Sequence, residues 1–132
     1  LKVDGRRSGR VQKLSLTLAL LVAVFAGACG DAGPDELSTL AGEGAEVARS
    51  NGCTACHGND GEGSVGPAWI GLAGSEVELA DGSTTDADTE YLRRSITDPQ
   101  ADLVAGYDIQ MPGNNLTSEQ VDAVVAYIEE LR

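Results

Sequence analysis

The chain has 132 residues and a formal net charge of −12, from 9 basic residues against 21 acidic ones, with a single histidine; this length bounds it to one small domain. From Cys29 onward the imbalance sharpens, to four arginines, 20 acids and no lysine, a net −16. Such a surface counts against nucleic acid as a partner, because binding there depends on cations that neutralise phosphates.

The chain opens on a basic stretch, residues 1–13, followed by an apolar run from Leu14 to Phe25 broken by Ser15 and Thr17, and by Ala26-Gly27-Ala28 ahead of Cys29. This is the three-part layout of an export signal. The apolar run falls short of the ~20 residues needed to span a bilayer as a helix, so a cleaved signal over residues 1–28 is expected rather than a retained span. The small residues before Cys29 resemble a bacterial lipobox, whose cysteine becomes the lipidated first residue of the mature protein. Ala26 stands where that motif prefers leucine, so ordinary cleavage near Ala28, leaving Cys29 a free thiol, competes with lipidation. Cys29 is nonetheless the expected lipid anchor, since it lacks a partner once Cys53 and Cys56 are used, and Gly30-Asp31-Ala32-Gly33-Pro34 reads as a tether. The expected organisation is a signal over 1–28, a flexible tether over 29–41 and a folded domain over 42–132, exported to the periplasm or the outer face of the cytoplasmic membrane.

Within the exported part, Asp35 to Asn51 has the apolar spacing of a helix, weakened by Gly42 and Gly44, with its firm portion from Gly44 to Asn51. Gly58, Gly61, Gly63, Gly66 and Pro67 then predict a flexible loop without regular structure. Val77 and Leu79 alternate with Glu76 and Glu78 ahead of Asp81-Gly82, which predicts a short exposed hairpin. Thr89 to Thr97 reads as a helix that stops before Pro99, with Tyr91, Leu92 and Ile96 on one face, and a turn over 99–104 is expected after it. Thr117-x-x-Gln120 is a capping box, and Val121, Val124, Val125, Ile128 and Leu131 follow at helical spacing, which predicts a helix from Ser118 to about Glu130. Beyond residue 28, 14 glycines stand beside four aromatics. Such a chain buries only a thin core, of the size that metals, disulfides or cofactors commonly supplement.

The chemistry concentrates at Cys53-x-x-Cys56-His57, which contains the chain's only histidine. That spacing is the pattern of c-type haem attachment: two thiols add to the porphyrin vinyl groups while the adjacent imidazole reaches the iron. A redox disulfide would need a strand-turn-helix context that the glycine-rich loop does not provide. A structural zinc site needs four ligands, usually Cys or His, and the chain has no second His and no second Cys pair. Met111, followed by Pro112 and standing just ahead of the last helix, is the candidate sixth ligand of the iron. A thioether there favours reduced iron and raises the potential.

With these residues the chain resembles class I cytochromes c from Gly42 to Arg132. The resemblance is carried by the helix entering Cys53-x-x-Cys56-His57-Gly58, by Gly66-Pro67, by Met111-Pro112, and by the last helix with Ala126-Tyr127-Ile128. It implies a small all-α fold whose first and last helices cross at Gly44 and Tyr127 around one covalently bound haem c, and a Pro67 carbonyl that orients His57 through its Nδ1–H. More narrowly, Gly66-Pro67-Ala68-Trp69, Gly74-Ser75-Glu76-Val77, Asp81-Gly82, Tyr91-Leu92-Arg93 and Asp98-Pro99 look like the cytochrome c domain fused to subunit II of some haem-copper oxidases. The copper-binding portion is missing, which makes a free-standing carrier the expectation. Ala48 departs from an aromatic common in the family, and looser packing is expected there.

The function implied is one-electron transfer in a respiratory chain, delivering electrons to a terminal oxidase, with no small-molecule substrate and no enzymatic activity. The acids are dispersed and define a field rather than a site; they imply redox partners with a basic docking patch, or adaptation to salt. The alternatives are a subunit of a periplasmic dehydrogenase or oxidase complex, and a haem-based sensor. Trp69, Tyr91 and Tyr107 are candidates for packing on the haem or bonding its propionates, and Arg93-Arg94 reads as a solvated face.

Overall fold

The computed structural model describes residues 37–132. The expected signal, the anchor at Cys29 and the tether up to residue 36 lie outside these residues. The element order is α1 (Thr39–Ser50), α2 (Thr54–His57), β1 (Glu76–Glu78), β2 (Thr84–Asp86), α3 (Thr89–Thr97) and α4 (Ser118–Glu130), the all-α architecture expected, with one two-stranded hairpin. Among the described residues, no helix is long and apolar enough to cross a membrane.

The helix α1 starts earlier than its firm portion in the sequence. Ser38 caps it, accepting from Ala41 N–H, so Thr39 to Ala41, expected in the tether, form its first turn. A hydroxyl in that position satisfies one of the four unpaired N–H groups at a helix start. The cap is itself anchored: Ser38 N–H and Oγ–H donate to the two oxygens of the Glu130 carboxylate at 2.8 and 2.6 Å. The start of the first helix is thereby tied to the end of the last.

These two helices cross with their backbones nearly in contact. A Cβ built on Gly44 would lie 1.9 Å from Ala123 O and 2.9 Å from Tyr127 Cβ, so the glycine that weakens the helix in isolation is what allows the crossing. Ala48, one turn further on, is fully buried. The core is thin, as the composition implies: its largest fully buried side chains are Val121 and Val124.

Helices α3 and α4 match their sequence signals. Asp88 caps α3 by accepting from Tyr91 N–H, Asp98 ends it ahead of Pro99, and Tyr91, Leu92 and Ile96 are buried. In α4 both bonds of the Thr117–Gln120 capping box are formed. Arg93 pairs with Asp122 of α4, and Arg94 pairs with Asp102 at 2.6 Å, so this arginine pair ties α3 to its neighbours instead of forming a merely solvated face.

The hairpin pairs Glu76 with Asp86 and Glu78 with Thr84. Its turn takes in Ala80 as well as Asp81-Gly82: Gly82 N–H donates to Leu79 O, Leu79 N–H donates to Ser83 O, and Gly82 carries the positive φ of 85°. This is the three-residue loop closed by a left-handed glycine. The hairpin is less exposed than expected, because Val77 is buried, and Ala80 N–H to Leu103 O and Ala105 N–H to Glu78 O dock it on the segment after α3.

The Glu130 carboxylate, bonded twice by Ser38, is held below its ordinary value of 4.5. A carboxylate whose folded value is depressed contributes stability above its unfolded value and loses that contribution as pH falls through the folded one. Glu130→Gln is therefore expected to melt below the parent at about pH 6 and to converge with it as pH falls through the depressed folded value, read by thermal unfolding across pH.

Candidate functional site

The Cys53-x-x-Cys56-His57 motif forms α2 and its approach. Cys53 N–H donates to Ala48 O at 3.0 Å, which sets α2 directly on the end of α1. The carbonyls left over at the end of so short a helix need partners, and the following loop supplies them: Gly63 N–H reaches His57 O at 2.7 Å and Gly66 N–H reaches Cys56 O at 3.0 Å. The loop has no regular structure, as expected, yet these bonds fix it against the motif rather than leaving it flexible. Gly66 sits where a Cβ would lie 3.2 Å from Cys56 O and 3.3 Å from His57 Cε1, so a larger residue would crowd the imidazole.

The same wrap places Pro67 O 2.7 Å from His57 Nδ1. A carbonyl only accepts, so Nδ1 carries the proton, and the neutral ring leaves its Nε2 lone pair free for a metal. Burial pushes the His57 value down, opposed by the bond to Pro67; both the neutral state and the tautomer suit a metal ligand. Burial likewise pushes the Cys53 thiol up.

Trp69, 5 % exposed, lies with its ring stacked on His57 at 4.6 Å between centroids and 18° between planes, and meets Tyr127 edge-on at 6.0 Å. It thus forms a wall beside the imidazole and joins it to the α1–α4 crossing. Sequence reasoning placed Trp69 among candidates for the haem surface or its propionates but did not pair it with His57. The contact depends on the loop turning back, which no local pattern announces. Tyr107 is 41 % exposed and stands at the mouth of the cavity described next.

Cys53, Cys56, His57, Pro67, Trp69 and Met111 all line one cavity of about 340 Å³. The rest of its wall is largely apolar, from Leu72 and Val77 near the hairpin, Leu92 and Ile96 of α3, Leu103 and Val104, and Val124 and Ile128 of α4. Every site residue expected within the described chain is therefore brought to a single space, Met111 from 54 positions beyond His57. Ser95, on the α3 wall, has a hydroxyl cut off from solvent that makes no hydrogen bond of good geometry, although Tyr91 on the preceding turn lies close. A buried polar group of this kind ordinarily has a partner.

These observations fit a porphyrin. The cavity is the size of a prosthetic group site rather than of an ion site, and among the described residues no group of three or more His, Cys, Asp or Glu could hold a metal. Cys53 and Cys56 are unpaired thiols, available for thioether bonds. An imidazole and a thioether in one apolar space are the ligand types of a His/Met haem.

No curated protein matches the chain. A family model described as cytochrome c matches residues 41–132, which is more than two thirds of the chain and contains the whole of the cavity. The chain therefore belongs to the cytochrome c family, as an electron-transfer protein whose cofactor is covalently bound haem c.

Proposed function

We propose that this protein is an exported monohaem carrier in a respiratory chain that delivers electrons to a terminal oxidase and is tethered to the membrane through lipid on Cys29. Bound haem c supplies the one-electron couple. Cys53 and Cys56 would hold the group through their sulfurs, His57 Nε2 and the Met111 thioether would ligate its iron, and the Pro67 carbonyl, by accepting from Nδ1–H, keeps the imidazole in the tautomer a metal ligand needs. The apolar wall excludes water, so little solvent has to reorganise when the charge on the iron changes. The observation that carries this reading is the convergence of His57 and Met111 on one cavity.

The partner end of the proposal rests on the surface. Val65, Leu103, Tyr107 and Ile109 line the cavity and are exposed, which leaves an apolar mouth through which an electron can pass to a docked protein. Three of the four described arginines, Arg49, Arg93 and Arg94, are already paired with acids, so the remaining carboxylates present an uncompensated negative field suited to a basic docking patch. The oxidase destination rests on the resemblance of the stretch from Gly66 to Pro99 to oxidase-fused domains. The same apolar mouth would also serve a fixed subunit of a dehydrogenase or oxidase complex, which co-purification with a catalytic chain would reveal.

Two measurements test the proposal. Intact mass of the mature protein should show one haem and a diacylated cysteine at residue 29; an unmodified Cys29 would remove the anchor. The rate of electron transfer to the isolated oxidase should fall as ionic strength rises from about 0.01 to about 1 M, over which screening shortens from about 30 to about 3 Å. A flat rate would remove the electrostatic docking.

A further inference from the structure

Met111 sits in a stretch without helix or strand that runs from Ala105 to the start of α4. What fixes this stretch is side-chain amides from its borders. Gln100 Nε2–H donates to Met111 O at 2.9 Å, and Asn114 Nδ2–H donates to Ile96 O at 2.6 Å, while Asn114 Oδ1 accepts from Leu116 N–H at 3.2 Å. Ile96 O is one of the last carbonyls of α3, which have no partner inside the helix. Asn114 takes that carbonyl with one end of its amide and turns the chain towards α4 with the other. Met111 is thus bracketed, one bond on its own carbonyl from Gln100 in the turn just after α3 and one, three residues on, from Asn114 to Ile96 in the last turn of α3.

We infer that Gln100 and Asn114 are positioning residues that latch the Met111 loop to α3 and so set how readily the thioether leaves the sixth coordination position. The inference rests on the reading of Met111 as that ligand. An external ligand can bind only the fraction of molecules whose sixth position is open, and its apparent dissociation constant is the intrinsic one divided by that fraction. Each neutral amide-to-carbonyl bond shifts such an equilibrium by roughly fivefold. Losing one should raise the open fraction about fivefold, and losing both on the order of twentyfold.

The experiment is an imidazole titration of the ferric holoprotein, followed by loss of the sulfur-to-iron charge-transfer absorption and by the shift of the main haem band. The variants are Gln100→Ala, Asn114→Ala, the two combined, and Asn114→Asp, which keeps the acceptor for Leu116 but loses the donor to Ile96. Met111→Ala sets the limit for a fully open position. The latch predicts that each single alanine variant binds imidazole about fivefold more tightly, that the combined variant binds on the order of twentyfold more tightly without exceeding Met111→Ala, and that Asn114→Asp behaves as Asn114→Ala. If Met111→Ala binds far more tightly than the parent while the combined variant stays within about twofold of it, the latch is wrong. If Met111→Ala itself binds no more tightly than the parent, the ligand assignment fails, and the latch with it.

Discussion

Replacing Gly44 with alanine is expected to destabilise the haem-loaded domain by about 3 kcal/mol, the upper end of what overpacking a well-filled site costs. The same replacement two residues earlier, Gly42→Ala, is expected to stabilise it by about 0.5–1 kcal/mol. The contrast isolates tertiary contact from helix propensity. Both glycines lie inside α1 and weaken it equally as an isolated helix, but a Cβ on Gly42 meets nothing within 4 Å, whereas on Gly44 it overlaps the Ala123 carbonyl. That carbonyl is backbone in the middle of α4 and cannot rotate away, so relief requires α1 and α4 to separate along the line where Ala48, Val121 and Val124 are buried. Thermal unfolding of both variants checks this, at roughly 4–8 °C of melting shift per kcal/mol for a domain of this size. Equal stability of Gly44→Ala and the parent would show that the helices do not cross at this contact.

The second large effect is expected on removing the means of attachment. The double variant Cys53→Ser, Cys56→Ser, isolated without haem, is expected to lack a cooperative thermal transition and the near-ultraviolet dichroism of Trp69 and the tyrosines. The cavity explains why. Its apolar wall draws on α3, α4, the hairpin and the Met111 loop, so without the porphyrin these elements face water or collapse onto one another in an arrangement for which the side chains are not shaped. The packing that remains consists mainly of alanine and valine around the α1–α4 crossing, too little apolar area to hold the rest of so small a domain. Residual helix at α4, with its complete capping box, is compatible with this outcome. A cooperative melt with native-like aromatic dichroism in the haem-free variant would instead show that the polypeptide is organised without its cofactor.

Both expectations concern the same property of the chain, a scarcity of large buried side chains that the cofactor makes good. It is visible in composition as many glycines and few aromatics, and in the structure as a core whose largest fully buried members are valines. The aromatics that are buried are placed for the site: Trp69 against His57, Tyr127 against Trp69, and Tyr91 on the cavity wall.

What could be read from the sequence alone was what short-range chemistry decides. The boundaries of α3 and α4 follow from a proline, a capping box and a helical repeat of apolar residues, each acting within about one turn. The attachment motif is equally local, since two thiols and an imidazole must lie within five consecutive residues to serve one porphyrin. Met111 was legible for a simpler reason, as the one methionine of the chain in a loop beside a proline.

The tertiary structure decided what depends on segments distant in the chain. The first turn of α1 forms because Ser38 is held by Glu130, 92 residues away, which outweighs the low helix propensity of Gly42 and Gly44. Trp69 pairs with His57 because backbone bonds from Gly63 and Gly66 fold the loop back onto α2, and a loop read residue by residue does not disclose where it returns. Gln100 and Asn114 carry no signal in the sequence, since exposed amides are common in any loop; only the path of the chain brings them to a ligand loop and a helix end. Local interactions thus determined which helices exist and which residues carry the chemistry. Long-range contacts, set by loop closure and helix crossing, determined how those residues are held.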